Sequence, residues 1–252
     1  MKPYLTHEHP LRFAHRGSRI LWPENTMVAF QGAVDLGYRY IETDVHLSRD
    51  ERVVVFHDHV LDRLTDGTGK VFDHDWDDLR HLDAAHGHRP EEGFPLRGSG
   101  VGMPLLEEVA TAFPDCLFNI DLKQAGIASR VADEIMRLGI EERVLIGSFR
   151  DRRLRAFRRA APGVATSAGP AEVARALIRP GGAADAFQVP ERVAGVRLVT
   201  PRFVKRAHRA DKQVHVWTVN DSADMRRLLD IGVDGIITDR PDVLNEVVFG
   251  SE

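Results

Sequence analysis

Cysteine is almost absent: Cys116 is the single one in 252 residues, which excludes an internal disulfide and any zinc site built on paired thiolates. Its place in the apolar run Cys116-Leu117-Phe118 suits a small buried hydrophobe. No apolar run approaches the roughly 18 residues that a membrane-spanning helix needs. Charge of one sign is also lacking, since 34 Lys and Arg stand against 38 Asp and Glu for a net −4. Such a balance supplies no general field for nucleic acid or an anionic membrane surface. No G-x-G-x-x-G loop follows the first predicted strand, which argues against an open dinucleotide-binding sheet. Met1 to Pro10 contains no apolar core of signal-peptide length, so a soluble, cytoplasmic protein is the expectation. Low-complexity tracts and solenoid repeats are missing too.

What remains is a globular composition, 43% hydrophobic and 29% charged. Short apolar strands alternate with amphipathic stretches from Leu11 onward. Strands are predicted at Arg12–His15, Tyr40–Leu47, Leu117–Lys123, Val144–Phe149, Val164–Ala168, Ala186–Val189, Val214–Val219 and Gly235–Asp239. Val53–His57 is read as an extension of the second strand, which makes eight. The spacing of Met27, Phe30, Ala33 and Val34 forms one apolar helix face, and similar faces run through Val131–Leu138, Leu154–Ala161, Phe203–Ala210 and Ala223–Leu229. Repeated strand–helix units imply parallel pairing, and eight of them imply closure. The prediction is an α/β protein, a (β/α)₈ barrel forming one domain over residues 1–252. The stretch from Val60 to Met103 breaks the rhythm with scattered Gly, Asp and His, and is read as a small insertion at the barrel mouth.

Strand alternation makes the polar residues informative. In Tyr40–Leu47, Glu42 and Asp44 share one face while Ile41, Val45 and Leu47 share the other. Two carboxylates so placed repel unless a cation lies between them, and a hard divalent ion ligated by oxygen answers that need. Leu117–Lys123 repeats the device with Asn119, Asp121 and Lys123 on one face. Asp121 then offers a third ligand and Lys123 a point charge for phosphate; the bland alternative is an internal salt-bridge network. His15 and His57 sit at strand ends, where one can accept a proton and the other donate it. In Pro23-Glu24-Asn25-Thr26, either Asn25 or Thr26 caps the first helix, and a role in orienting His15 is the competing reading. Trp217 either walls a substrate pocket or packs in the core. His7, His9, His74, His81, His86 and His88 lie in polar, irregular sequence and are expected on the solvated surface.

These residues recur in a familiar order. His15-Arg16-Gly17, Pro23-Glu24-Asn25-Thr26, Glu42-x-Asp44-Val45 and Phe56-His57-Asp58 resemble the ordered signature of the glycerophosphodiester phosphodiesterase family. The likeness continues through Leu61–Gly69, Pro104–Val109, Asp121-x-Lys123, Val216–Asn220 and Gly232–Pro241, and so spans nearly the whole chain. The resemblance implies a TIM barrel with a small insertion after the second strand. It also implies one divalent cation, magnesium or calcium, and hydrolysis of glycerophosphodiesters to glycerol 3-phosphate and an alcohol; the lack of a signal peptide and of an obvious membrane-binding helix favours small soluble substrates. By resemblance, His15 and His57 are the acid–base pair, Glu42, Asp44 and Asp121 the metal ligands, and Arg16 and Lys123 the phosphate contacts. Many members carry Glu at the position of Asp121, one methylene longer with the same carboxylate chemistry. Relatives acting on lysophospholipids or sphingomyelin, and a barrel that binds phosphate esters without turnover, are the nearer alternatives. A zinc amidohydrolase needs an H-x-H pair on the first strand, where this chain offers only His15.

Overall fold

The structure is a computed structural model that describes residues 2–7, 9–178 and 181–250. Its strands are, in chain order, β1 (Leu11–His15), β2 (Tyr40–Leu47), β3 (Val53–Val55), β4 (Leu117–Leu122), β5 (Val144–Gly147) and β6 (Ala165–Thr166). They continue with β7 (Ala186–Pro190), β8 (Arg192–Val193), β9 (Val196–Arg197), β10 (Gln213–Trp217) and β11 (Gly235–Thr238). The helices are α1 (Met27–Asp35), α2 (Trp76–Leu79), α3 (Leu106–Ala112), α4 (Ala128–Leu138) and α5 (Asp151–Ala160). α6 (Pro170–Ala176), α7 (Pro201–His208), α8 (Ser222–Asp230) and α9 (Pro241–Phe249) complete the set.

Eight strands pair in parallel in the order β6-β5-β4-β2-β1-β11-β10-β7. The ring closes between β6 and β7 through a parallel bridge of Ser167 with Ala186, where Ala168 N donates to Ala186 O at 2.8 Å. The predicted (β/α)₈ barrel is therefore present. Every residue of β2 is buried, as a wall with side chains inside the barrel and helices outside requires. Phe13, Tyr40, Leu117, Leu145, Ala165, Ala186 and Ile237 fill the barrel interior. At its lower end Tyr4 and Leu5 of a short 3-10 helix (Pro3–Leu5) join this cluster, with Tyr4 edge-on to Tyr40 at 5.3 Å.

Of the α1 face foreseen from spacing, Phe30 and Ala33 are buried and Met27 and Val34 partly so, with Ala29 buried beside them; Thr26 is the cap, Oγ1 accepting from Ala29 N at 3.2 Å. Two expectations change. Val53–Val55 does not extend β2; it turns back through Ser48–Arg52 and pairs antiparallel, Val45 opposite Val55. A run of three valines fits any buried strand, so the sequence carried no sign of direction. The segment after it has its own apolar cluster, in which Leu61, Leu64, Val71, Trp76 and Leu79 pack on Val54 and Phe56. His88, in the same segment, is 5% exposed, against the expectation of a solvated side chain. Among the described residues no helix is long and apolar enough to cross a membrane.

β1 leaves the barrel through a tight turn in which Arg16, Gly17 and Ser18 all have positive φ, at 54°, 80° and 123°. A Cβ on Gly17 would lie 2.7 Å from the backbone of Ala29, so α1 sits directly on this turn. Gly17→Ala should cost at least about 1–2 kcal/mol from left-handed backbone alone, lowering Tm by roughly 4 °C or more. A melting curve superimposable on wild type would show that the turn does not depend on glycine.

Candidate active site

Strand register assembles the site. His15 of β1 lies opposite Glu42 of β2, and Glu42 opposite Asn119 of β4. One layer higher, Asp44 faces Asp121. Period-two alternation then turns all five into the same rim, at the carboxyl ends of the strands, where barrel enzymes keep their chemistry. A cavity of about 510 Å³ opens there, lined among others by His15, Arg16, Glu42, Asp44, His57, Asn119, Asp121, Lys123 and Trp217. Every candidate residue read from the sequence thus borders one space.

The two histidines are held alike. His15 Nδ1 donates to Asp239 Oδ1 at 2.6 Å, and His57 Nδ1 donates to Asp58 Oδ1 at 2.5 Å. Each ring therefore keeps Nε2 as the nitrogen available for proton exchange. Burial opposes charge on His15, but Glu42, 3.7 Å from Nε2, and the bond to Asp239 outweigh it, so its pKa is raised. Asp239 resists burial through His15, Asn220 and Arg19 and is depressed to about 2. Burial likewise opposes ionisation of Asp58, yet His57 and Arg63 drive its pKa well below the usual carboxylate range. Arg63 bonds Asp58 with Nε at 2.5 Å and Glu24 at 2.9 Å, and Glu24 in turn accepts from Arg16 at 2.8 Å. This ion chain connects the insertion to the turn after β1.

The carboxylates are not equivalent. Asp44 meets Lys123 Nζ at 2.9 Å, Arg16 Nε at 3.1 Å and Asn25 Nδ2 at 2.9 Å. Burial alone would raise its pKa, but Lys123 and Arg16 hold it far below normal. Glu42 behaves oppositely: burial, reinforced by the charge of Asp44, raises it. Asp121 is also raised by burial, although Lys123 lies 2.6 Å from Oδ2. Asn25 reaches Asp44 and Thr43 rather than His15, so its side chain orients a carboxylate while Thr26 does the capping.

Among the described residues, no three His, Cys, Asp or Glu side chains stand in a ready-made ligand cluster, and Lys123 bridges Asp44 and Asp121. The donor set still fits a hard cation. Asp121 Oδ1 and Asn119 Oδ1 are buried oxygens without a hydrogen-bond partner, and such atoms are costly unless something electropositive reaches them. Glu42, whose ionisation burial disfavours, is relieved by the same means. All these donors are oxygen, which suits magnesium or calcium rather than a thiophilic metal.

Sequence reasoning missed Asp239, Asp58, Arg63 and Glu24 as orienting groups. The signal for Asp239 was present: like His57, it ends an apolar strand, Gly235–Thr238, at the same rim. Glu24 was masked by its position in a helix-capping stretch. Arg63 lies in an insertion without strand or helix periodicity, so nothing marked its direction.

Comparison with known proteins follows this geometry. Residues 15–243 match the model of the glycerophosphoryl diester phosphodiesterase family. The "Probable glycerophosphodiester phosphodiesterase 2" of Mycobacterium tuberculosis is 40% identical, the alignment covering 98% of this chain and 93% of the relative. A glycerophosphodiester phosphodiesterase of Bacillus altitudinis is 35% identical over 91% of this chain and 94% of its own. A crystal structure of glycerophosphodiester phosphodiesterase from Agrobacterium tumefaciens superposes with a TM-score of 0.77 at 26% identity, covering 92% of this chain and 97% of that one. A family model over most of its length and near full-length relatives agree, and the chain belongs to the glycerophosphoryl diester phosphodiesterase family.

Proposed function

We propose that this protein hydrolyses glycerophosphodiesters to glycerol 3-phosphate and an alcohol, with His15 and His57 as its acid–base pair. One observation carries the reading: two carboxylate-oriented histidines border a cavity whose floor joins Arg16 and Lys123 to three carboxylates. A phosphodiester anion matches that floor, since its two non-bridging oxygens accept from Arg16 and Lys123. Glu42, Asp44 and Asp121 would hold one magnesium or calcium ion, with Asn119 beside them. Bound there, the ion supplies Lewis-acid polarisation of a phosphate oxygen.

The chain's own groups then divide the work. Arg16 and Lys123 sit on fixed ion-pair frames, so their charge is already aimed where negative charge grows on the phosphoryl oxygens. One imidazole takes the proton from the attacking oxygen, of water or of a neighbouring glycerol hydroxyl. The other imidazole delivers a proton to the departing alkoxide. Asp239 stabilises the imidazolium of His15 whenever it forms, and Asp58 orients the His57 ring through Nδ1.

His15→Ala and His57→Ala should each lower kcat by on the order of 10²-fold or more, read by coupled detection of glycerol 3-phosphate. Near wild-type turnover in either would remove that residue from the chemistry. Excess EDTA should abolish activity, and added Mg²⁺ or Ca²⁺ should restore it; undiminished rates in chelator would refute the cation. Removing the Asp239 charge withdraws a stabiliser of His15 in its protonated form, so its pKa must fall. In Asp239→Asn, the limb of the kcat/KM pH profile belonging to His15 should therefore move to lower pH. Two unmoved limbs would contradict the assignment.

A further inference from the structure

Beneath the charged rim, the barrel interior holds a column of polar side chains that the acid–base chemistry does not use. Gln213 and His215 of β10 are 4% and 0% exposed, and Gln188 of β7 stands opposite His215 in register. Burying such groups costs free energy unless they satisfy one another. Here they do so in one direction.

The direction is set at the floor. The carbonyl of Leu5 can only accept, so the Gln213 amide turns its nitrogen there, Nε2 donating at 2.8 Å. His9 agrees: its Nδ1 donates to the Asp234 carbonyl at 3.0 Å, which leaves Nε2 to accept from the same Gln213 nitrogen at 3.3 Å. The Gln213 oxygen is thereby aimed at His215, whose Nε2 donates to it at 3.0 Å. Burial holds the His215 pKa down, to about 3, so the ring is neutral and Nδ1 keeps its lone pair. Nδ1 accepts from Gln188 Nε2 at 3.3 Å. Each bond fixes the next, and the last amide has its nitrogen engaged with His215. What Gln188 turns to the cavity is Oε1.

That oxygen stands among other acceptors. A Cβ on Gly147 would lie 3.6 Å from Gln188 Oε1, 3.5 Å from Ser167 Oγ and 4.0 Å from Asp121 Oδ1, and without it the space between them stays open. No described residue donates to Gln188 Oε1, and Asp121 Oδ1 also lacks a donor. A face of acceptors repels phosphate oxygens and takes a donor such as a hydroxyl. We infer that Gln188 is a specificity-determining residue whose amide oxygen takes a hydroxyl of the bound diester, and that Gln213 and His215 are positioning residues that keep the oxygen, rather than the nitrogen, in the cavity. The inference rests on the phosphodiesterase reading above and adds to it the polarity of one contact.

The hydroxyl can belong to the glycerol or to the leaving alcohol, and the test separates the two. In one arm, ethyl glycerophosphate is compared with its analogues lacking one glycerol hydroxyl, and ethanol is measured. In the other, the 2-hydroxyethyl ester is compared with the ethyl ester, and glycerol 3-phosphate is measured. In one arm, removing the hydroxyl that Gln188 reads should lower wild-type kcat/KM about tenfold, since a buried acceptor is left bare. In Gln188→Met, which keeps the length and loses the oxygen, the same removal should change kcat/KM less than about twofold. His215→Phe, which frees the Gln188 amide to turn over, should shrink the effect likewise. Nitrogen NMR of the labelled wild-type protein reads the relay without any variant: His215 should carry its proton on Nε2, and its Nδ1 resonance should move in Gln188→Met.

A proton on Nδ1 of His215 would overturn the relay, because Gln188 would then present its nitrogen to the cavity. No hydroxyl effect in wild type, or one of equal size in Gln188→Met, across both arms would overturn the contact and leave the phosphodiesterase reading standing. No turnover of any diester in the presence of Mg²⁺ or Ca²⁺ would refute that reading and the contact with it.

Discussion

The site depends on the buried charge of Asp44. Its carboxylate is almost fully removed from water, yet two cations and one amide from three segments converge on it: Lys123 from the end of β4, Arg16 from the turn after β1 and Asn25 before α1. An isolated buried carboxylate would be protonated or solvated, so the ion pairs are what allow it to exist inside the barrel. Because the donors come from different segments, the same contacts fix the relative positions of three strand ends. The cations proposed to bind phosphate and the proposed metal ligands are thereby one structure, and neither set can be moved without the other.

A second feature is the way the insertion joins this assembly. Arg63, from residues 60–103, carries the ion chain through Asp58 and Glu24, and so touches the supports of both His57 and Arg16. The segment's own apolar cluster holds Arg63 at a fixed distance from the barrel, so a stretch with little regular secondary structure still positions side chains. Loops of this length work as site-building elements when their packing is independent of strand and helix periodicity.

Legibility in the sequence followed periodicity. Glu42, Asp44, Asn119, Asp121 and Lys123 could be assigned to one rim because strand alternation is a strict rule and each sits in an otherwise apolar run. His15 and His57 stood out as polar stops after such runs. The direction of β3 could not be read, since three valines look alike parallel or antiparallel. Asp239 carried a signal as a polar stop after a strand, but its bond to His15, 224 residues away, leaves no local pattern; Asp58 adjoins His57 and Arg63 follows soon after, yet neither lies in a strand or helix period that would fix its direction. Nor did the β8–β9 hairpin announce itself, with two residues per strand and no alternation to detect.

Tyr4 and Leu5 stopper the barrel floor beneath Tyr40, and Lys2 is latched to the carbonyls of Pro162 and Val164 at 2.9 and 2.8 Å. Among the described residues the floor is thus shut, and the cavity opens at the rim that Trp217 borders. Whatever enters past Trp217 must be cleaved and its pieces expelled through the same opening, so departure of one guest necessarily precedes arrival of the next. Traffic through that doorway, as much as bond cleavage, sets the rhythm at which such a vessel can work.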